Sequence, residues 1–229
     1  MSDLGARHLG EVVTTVPGSA RVLESFGLDY CCGGGRSLAA ACAEHGVDPD
    51  DVIRELHGLV GGAAHDWATL GPAQMVDHLQ STHHAYLHTE LPRLDALAEK
   101  VASVHGARHP ELMDVLADVR ELRDDLEPHL LKEERILFPL IRELVAEVTA
   151  GSVTTPLGGP VRVMRLEHDR AGALLAQLRH HAGDFEPPHD ACASYRALYD
   201  GLAQLEADTH LHVHKENNVL FPALEALGG

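Results

Sequence analysis

Two short stretches of this 229-residue sequence carry the same pair of metal-binding residue types at the same spacing. His129 lies four residues before Glu133, and His212 lies four residues before Glu216. Residues four apart leave the same face of an α-helix about one turn from each other. Each pair can therefore bind one metal ion or two adjacent ions, which makes metal binding the first chemistry that the sequence indicates.

An internal repeat connects the two pairs. The pattern His-x-x-Lys-Glu-x-x-x-Leu-Phe-Pro begins at His129 and again at His212, 83 residues later. His84 and His168 are separated by nearly the same distance, 84 residues. The repeat predicts a duplicated helical hairpin in which four imidazoles and two carboxylates point inward. This arrangement is suited to two metal ions bridged by both glutamates.

The types of ligand narrow the choice of metal. A single histidine on an apolar helix face is more often a hydrogen-bonded core residue than a ligand. Four imidazoles and two carboxylates in one apolar core, however, would cost several kcal/mol per buried ion without a metal. Mixed nitrogen and oxygen ligands favour iron over a closed zinc site, although ligand type alone leaves manganese and zinc open. On the first helix, the apolar stripe fits His83 better and the repeat offset fits His84 better.

Four long helical segments are expected to position these ligands. They span Pro72–Val104, Pro110–Val148, Pro160–Ala182 and Pro187–Leu227. Leu126, His129 and Glu133 follow each other at steps of three and four, which places the ligands on the core-facing stripe. No strand-like alternation competes, so the sequence predicts an all-α protein built on a four-helix bundle of up-down hairpins. Pro139 and Pro222, each six residues after a candidate glutamate, are expected to bend their helices.

The first sixty residues predict a small helical domain in front of the bundle. Three short helices are expected at 17–26, 37–45 and 48–60, with Ser37 and Asp48 as N-terminal caps. A Gly- and Ala-rich stretch then interrupts every periodic pattern and predicts a linker. The predicted organisation is a small domain at 1–62, a linker at 63–71 and the bundle at 72–229.

A second chemical motif, Tyr30-Cys31-Cys32-Gly33-Gly34-Gly35, lies in a loop between the first two predicted helices. Accessible adjacent thiols can bind a soft metal or exchange disulfides. The residues alone are equally compatible with a glycine-rich turn that contains incidental cysteines.

The charge and hydropathy of the sequence argue against nucleic-acid and membrane partners and against secretion. Eighteen Lys and Arg stand against 35 Asp and Glu, and a net charge of −17 disfavours nucleic acid and anionic membrane surfaces. The N-terminus lacks the apolar core of a secretory signal, and no apolar run reaches the length of a membrane-spanning helix. We therefore expect a soluble, cytoplasmic protein with reduced cysteines.

The combination of Asp29-Tyr30-Cys31-Cys32-Gly33-Gly34 with the duplicated motif resembles the iron-sulfur cluster repair di-iron proteins, also called the Repair of Iron Centres family. The bundle alone resembles hemerythrin. The resemblance implies two iron ions in an oxo- and carboxylate-bridged centre, with both glutamates bridging and the ligands His84, His129, Glu133, His168, His212 and Glu216. It favours His84 over His83, and it makes Cys31 and Cys32 candidate redox or iron-transfer thiols. Extra histidines near the sites, such as His83, His210 and His214, depart from the family pattern and leave a swap of ligand open.

The resemblance implies a stress protein that restores iron-sulfur clusters damaged by nitric oxide or peroxide, by supplying iron. The expected partners are damaged iron-sulfur proteins or a cluster scaffold, the gases nitric oxide and dioxygen, and a second copy of the chain in a homodimer. Two alternatives stay open: an enzyme that reduces nitric oxide at the two irons, and a hemerythrin-like protein that binds or senses dioxygen or nitric oxide. Gas turnover needs electrons, and the sequence has no flavin, nucleotide or haem motif to supply them, which favours repair.

Overall fold

The computed structural model describes residues 4–59 and 66–228. In these ranges the regular secondary structure is helical, and the one pairing of β type is a single bridge between His8 and Ser37. The predicted all-α class is confirmed. No helix in the described part of the chain has both the length and the apolar character needed to cross a membrane.

The N-terminal part contains one helix more than the sequence predicts. Its helices are α1 (Leu9–Thr15), α2 (Ser19–Ser25), α3 (Leu38–His45) and α4 (Pro49–Gly58). The pattern does not indicate α1, because a glycine and several β-branched residues give this segment a low helix propensity. Burial of Leu9, Val12 and Val13 stabilises α1 instead.

The predicted caps of α3 and α4 are confirmed. The Ser37 side chain accepts a hydrogen bond from the Ala40 backbone N–H at 3.2 Å, and the Asp48 side chain accepts one from Asp50 at 3.0 Å. Gly46 ends α3 in the left-handed conformation, with φ of +67°, which glycine adopts without a steric penalty. Local sequence chemistry therefore sets these boundaries.

The predicted long segments are present, but most of them are divided. The helices are α5 (Pro72–Leu79), α6 (Ala85–His105), α7 (Glu111–Lys132), α8 (Phe138–Ala150), α9 (Gly158–His181), α10 (Ala193–Lys215) and α11 (Phe221–Ala226). One-turn π-helical segments, Gln80–His84, Glu133–Leu137 and Glu216–Leu220, join α5 to α6, α7 to α8 and α10 to α11. The fourth segment begins at Ala193 rather than Pro187, and a turn precedes it in which the Ala191 N–H donates to the Pro188 carbonyl at 2.9 Å.

The chain forms two compact units that do not follow the order of the sequence. The first comprises the described residues within Met1–His78, Leu140–Val161 and His210–Gly229, and the second comprises Leu79–Pro139 and Arg162–Thr209. The predicted linker at 63–71 is described only from residue 66 onward, where Asp66–Thr69 forms a 3-10 turn. Residues 60–65 lie outside the described ranges. The division at 1–62, 63–71 and 72–229 stays a prediction.

Each unit has its own apolar core. In the first unit, side chains of α1 to α4, including Leu23, Leu38 and Leu56, pack together with Val213 near the C-terminal end of α10. In the second unit, α6, α7, α9 and α10 share one core that includes Leu122 and Leu202. Of the side chains near Glu133, His129 lies on α7, His168 lies on α9, and His84 directly precedes α6.

Truncating the second core should destabilise the protein strongly. Leu202 is fully buried, and Leu202→Ala should lower the free energy of unfolding by about 2–5 kcal/mol, because it removes apolar contacts and leaves a cavity. Leu166→Ala is the matched control, since Leu166 is 65% exposed, and it should change stability by no more than about 0.5 kcal/mol. Urea unfolding followed by circular dichroism measures both. Equal losses for the two variants would contradict the described core.

Candidate metal centre

A carboxylate at the centre of the second unit is surrounded by imidazoles. Glu133 is fully buried. Its Oε2 lies 3.3 Å from Nε2 of His84, whereas its Oε1 lies 3.3 Å from Nε2 of His129 and 3.9 Å from Nε2 of His168. The structure thus brings four of the predicted ligands together and directs the two oxygens of one carboxylate toward different histidines.

Outer carboxylates fix the orientation of two of these rings. Nδ1 of His84 lies 2.9 Å from Oε1 of Glu134, and Nδ1 of His129 lies 2.9 Å from Oε2 of Glu167. An ionised carboxylate can only accept, so each Nδ1 carries the proton and donates it. The Nε2 atom then carries the lone pair that binds a metal, as in the carboxylate-histidine-metal arrangement of many metalloproteins.

The outer carboxylates are kept ionised by the groups around them. Hydrogen bonds from His129 and Lys132 lower the pKa of Glu167 to about 2, against a smaller opposing effect of burial. Burial raises the pKa of Glu134, but hydrogen bonds from His84 and His88 outweigh it and leave that pKa below its usual value. Both carboxylates can therefore accept hydrogen bonds from the candidate ligands His84 and His129 over the physiological pH range.

The donor set fits a pair of transition-metal ions. Two donor atoms that each lie about 2.1 Å from one ion are about 3.0–3.4 Å apart. The His84 and His129 distances to Glu133 fall in this range, and the longer His168 distance needs only a small movement of the ring. Because Oε1 and Oε2 face different imidazoles, Glu133 is placed as a carboxylate that can bridge two ions.

The three π-helical segments coincide with candidate ligands. His84 ends the first segment, and Glu133 and Glu216 begin the other two. In the last two segments, the N–H of Phe138 bonds to the carbonyl of Glu133, and the N–H of Phe221 bonds to that of Glu216, five residues back in each case. Such π-bulges often occur at functional sites because the wider turn redirects side chains.

A π-helical turn ends two residues before each of Pro139 and Pro222, and the predicted bending of the helices there stays a prediction. The sequence signal for it is the repeated proline six residues after the glutamate. Proline supplies no N–H to the preceding turn, so the regular i to i−4 pattern is interrupted there in any case.

The first unit contains the other half of the repeat. His212 and Glu216 are both buried, and His212 Nε2 lies 3.6 Å from Oε1 of Glu216. Two of the extra histidines contact other groups: His83 Nδ1 lies 2.9 Å from Asp208 in the second unit, and His214 in the first unit packs edge-on against Tyr30. The assignment of the ligand set stays a prediction.

The loop with the two cysteines is held by Asp29. Its Oδ1 accepts backbone N–H bonds from Cys31 and Cys32, both at 3.0 Å, and its Oδ2 accepts one from Gly33 at 2.8 Å. The two sulfurs are 3.9 Å apart, and both thiols are free. The hydrogen bond with Cys32, burial and nearby negative charge raise the pKa of the Cys31 thiol.

The same loop is anchored to the segment that follows Glu216, within the first unit. Asn218 Nδ2 donates to the carbonyls of Cys31 at 2.9 Å and Tyr30 at 3.2 Å. A Cβ on Gly34 would lie 2.6 Å from the backbone oxygen of Tyr30 and 2.2 Å from the Asn218 amide oxygen, and the clash with the fixed backbone explains glycine at that position. Sequence reasoning missed this anchor. The available signal was that Asn217 and Asn218 replace the charged Glu134 and Arg135 of the first repeat.

Two known families match consecutive parts of the chain. A family described as "Domain of Unknown function (DUF542)" matches residues 5–60, and one described as "Hemerythrin HHE cation binding domain" matches residues 75–224. The larger part of the chain is therefore a hemerythrin-type cation-binding domain, as its resemblance to hemerythrin predicts.

Relatives extend this finding to nearly the whole chain. The iron-sulfur cluster repair protein YtfE of Dickeya chrysanthemi (strain Ech1591) is 36% identical over 94% of this chain and 95% of its own length. The YtfE protein of Escherichia coli O157:H7 is 34% identical over 96% of both chains. A Haemophilus influenzae protein named "Probable iron-sulfur cluster repair protein" is 34% identical over 94% of this chain and 95% of its own. The chain belongs to this family of iron-sulfur cluster repair proteins.

Loss of an outer carboxylate should weaken metal binding without unfolding the chain. Glu167→Gln keeps the size of the side chain but weakens its hold on His129, so metal affinity should fall by about 10- to 100-fold. Glu127→Gln is the control, because it breaks only a surface ion pair with Arg123. Competition with a metal-binding dye measures the affinity. An unchanged affinity in the Glu167 variant would show that His129 is not oriented through Glu167.

Proposed function

We propose that this chain repairs damaged iron-sulfur clusters by donating iron from a centre of two iron ions. The observation that carries the proposal is Glu133, a fully buried carboxylate whose two oxygens face different imidazoles. A buried carboxylate costs several kcal/mol unless positive charge compensates it, and a pair of cations supplies that charge.

The proposed ligands come from both copies of the repeat. One part of the proposed ligand set lies in the second unit and consists of His84, His129, His168 and Glu133. The distances of the three imidazoles from the Glu133 carboxylate support this part of the set. His212 and Glu216 repeat His129 and Glu133 in the sequence, and the matched cation-binding family spans both copies, which supports a common centre. This mixture of nitrogen and oxygen donors favours iron. In the proposed function the iron is cargo, because the protein passes it on to the damaged cluster.

The protein's own groups set how iron is held. Glu134 and Glu167 orient the imidazoles and increase their basicity as ligands, which strengthens binding. The net charge of −17 raises the local concentration of cations and so favours uptake of iron. Cys31 and Cys32 offer two adjacent sulfur ligands for iron; the hydrogen bond with Cys32 and burial raise the pKa of the Cys31 thiol, so that thiol must lose its proton as iron binds.

Repair is favoured over the two alternatives from the sequence. The names of the relatives describe iron-sulfur cluster repair, and none of those given above describes nitric oxide reduction or gas sensing. The proposed setting is a cytoplasm under nitrosative or oxidative stress, where damaged iron-sulfur proteins or a cluster scaffold are the clients. A homodimer is the assembly proposed for the chain.

The first test is metal stoichiometry. The iron-loaded chain should hold two iron ions, and His129→Ala or Glu216→Ala should remove at least about half of them because each deletes a proposed ligand. His180→Ala, a histidine outside the proposed set, is the control and should leave the content unchanged. Elemental analysis with a protein assay measures the ratio. One ion or none in the loaded wild type would contradict the two-iron centre.

The second test separates the cysteines from the metal centre. Cys31→Ser with Cys32→Ser should leave the iron content unchanged and slow repair, because serine keeps the size but not the metal-accepting sulfur. Cys42→Ser is the control, since Cys42 is buried in the first core. The measurement is recovery of activity by a nitric-oxide-damaged iron-sulfur enzyme mixed with equally loaded proteins.

The same mixture distinguishes donation from gas chemistry. Transfer of labelled iron to the client, in step with its recovered activity, is the outcome expected for donation. Sustained consumption of nitric oxide with an added reductant, and no transfer of iron, would overturn the proposal in favour of reduction. Equal repair rates for the wild type and the double variant would assign Cys31 and Cys32 to structure only.

A further inference from the structure

One of the two outer carboxylates in the second unit also contacts a histidine at the protein surface. Oε1 of Glu134, which accepts a hydrogen bond from Nδ1 of His84, lies 2.9 Å from Nε2 of His88 as well. The His88 side chain is 42% exposed, whereas that of His84 is 2% exposed. A single carboxylate thus joins a candidate ligand of the buried centre to an imidazole that solvent reaches.

The helix spacing brings the two histidines to the same side of the bundle. His84 ends the first π-helical segment, and His88 follows four residues later in the first turn of α6. Residues four apart share one helix face, and the centroids of the His84 and His88 rings are 6.5 Å apart in an edge-on arrangement. The Glu134 side chain, which is half as exposed as the surface histidine or slightly more, contacts both rings. Exposure therefore increases from His84 through Glu134 to His88.

The distance between the two surface atoms suits a shared cation. Two donors that each lie about 2.1 Å from one ion, at right angles to each other, are about 3.0 Å apart. His88 Nε2 and Glu134 Oε1 are 2.9 Å apart, and ligand atoms of His84, His88 and Glu134 all lie within 4.8 Å of one another. A neutral imidazole carries one N–H, which can reside on Nδ1 and leave the Nε2 lone pair of His88 for an ion.

The other outer carboxylate has a different kind of partner. Glu167 accepts hydrogen bonds from His129 and from the ammonium group of Lys132. An ammonium group has three donors and no acceptor, so it cannot bind a cation, and its charge repels one. Among the described residues, Glu134 pairs only with imidazoles. Of the two outer carboxylates, Glu134 is therefore the one whose partners can bind a cation together with it.

We propose that His88 and Glu134 form an outer cation site through which iron enters and leaves the buried centre. The inference rests on the proposed function, because iron has to leave the centre to reach a damaged cluster. The ligand class is a hydrated divalent transition-metal ion, which nitrogen and oxygen donors suit. An ion at this outer site is one imidazole ring away from Glu133, since His84 contacts Glu134 through Nδ1 and Glu133 through Nε2.

The outer site is built to bind weakly, as transfer requires. Structural metal sites close the coordination shell with protein ligands, whereas His88 and Glu134 supply two and leave the other positions to water. An ion that is to move on must bind strongly enough to enter and weakly enough to leave. A carboxylate has about four lone-pair positions, so Glu134 can bind the ion and keep the hydrogen bond that orients His84.

The direct test is zinc binding by the iron-loaded full chain in equilibrium dialysis. His88→Gln keeps an N–H donor for Glu134 but removes the imidazole, so this variant should bind about one zinc ion fewer per chain than the wild type. His57→Gln removes another exposed histidine and is the control, which should bind as much zinc as the wild type. Elemental analysis of the same samples should show the same iron content in all three proteins.

The second test is the rate at which the loaded chain gives iron to a chelator. A ligand site at the surface raises the local concentration of the ion, which speeds entry by at least about tenfold. When the affinity of the centre is unchanged, the same route speeds exit equally, so His88→Gln should slow release by about tenfold. His88→Lys, which copies the contact of Lys132 with Glu167, should slow release at least as much.

Three results would overturn the proposal. They are a His88→Gln variant that binds as much zinc as the wild type, an equal loss of zinc in the His57→Gln control, and release of iron from His88→Gln at the wild-type rate. None of these results contradicts the proposed function. That function fails instead if the loaded wild type holds one iron ion or none, or if no labelled iron reaches the client.

Discussion

The second unit depends on one constraint, which is the complete burial of the Glu133 carboxylate in a bundle whose core is otherwise largely apolar. An ionised carboxylate in such a place is strongly destabilising unless charge and hydrogen bonding compensate it. Three imidazoles direct nitrogen atoms at its oxygens, and two of these rings are in turn held by outer carboxylates. Three imidazoles around Glu133 and two outer carboxylates behind them thus form two polar shells inside an apolar core, and we propose this arrangement as the cation site.

The helix backbone adapts to this constraint. A regular α-helix places residues at fixed angles of about 100° per residue, and a π-turn changes that angle locally. Glu133 and Glu216 begin such turns, and His84 ends another. The two glutamates also precede prolines, which interrupt the regular hydrogen bonding whatever the ligands require. The duplicated proline therefore places the irregular backbone at the candidate ligands in both copies.

Within the first unit, the short N-terminal helices and the C-terminal end of the chain share a core through Val213 and a hydrogen-bonded anchor through Asn218. The anchor explains why a glycine-rich loop with two thiols keeps a defined conformation. Asp29 satisfies three successive backbone N–H groups of the loop, and Asn218 satisfies its carbonyls. The sequence motif around Cys31 and Cys32 thus includes residues that hold the loop backbone by hydrogen bonds, in addition to the two thiols.

The sequence by itself determined the helical class, the duplication, the caps at Ser37 and Asp48, and the types of residue that could bind metal. These features depend on spacing within one helix or on local hydrogen bonds, and both are set by neighbours along the chain. The tertiary structure alone decided which oxygen of Glu133 faces which histidine, that His83 contacts Asp208, and that Glu134 and Glu167 orient the His84 and His129 rings. It also decided the existence of α1, the anchor at Asn218 and the contact of His88 with Glu134. Each of these joins residues from different helices or forms only through burial, and neither the periodicity nor the propensity of one segment contains that information.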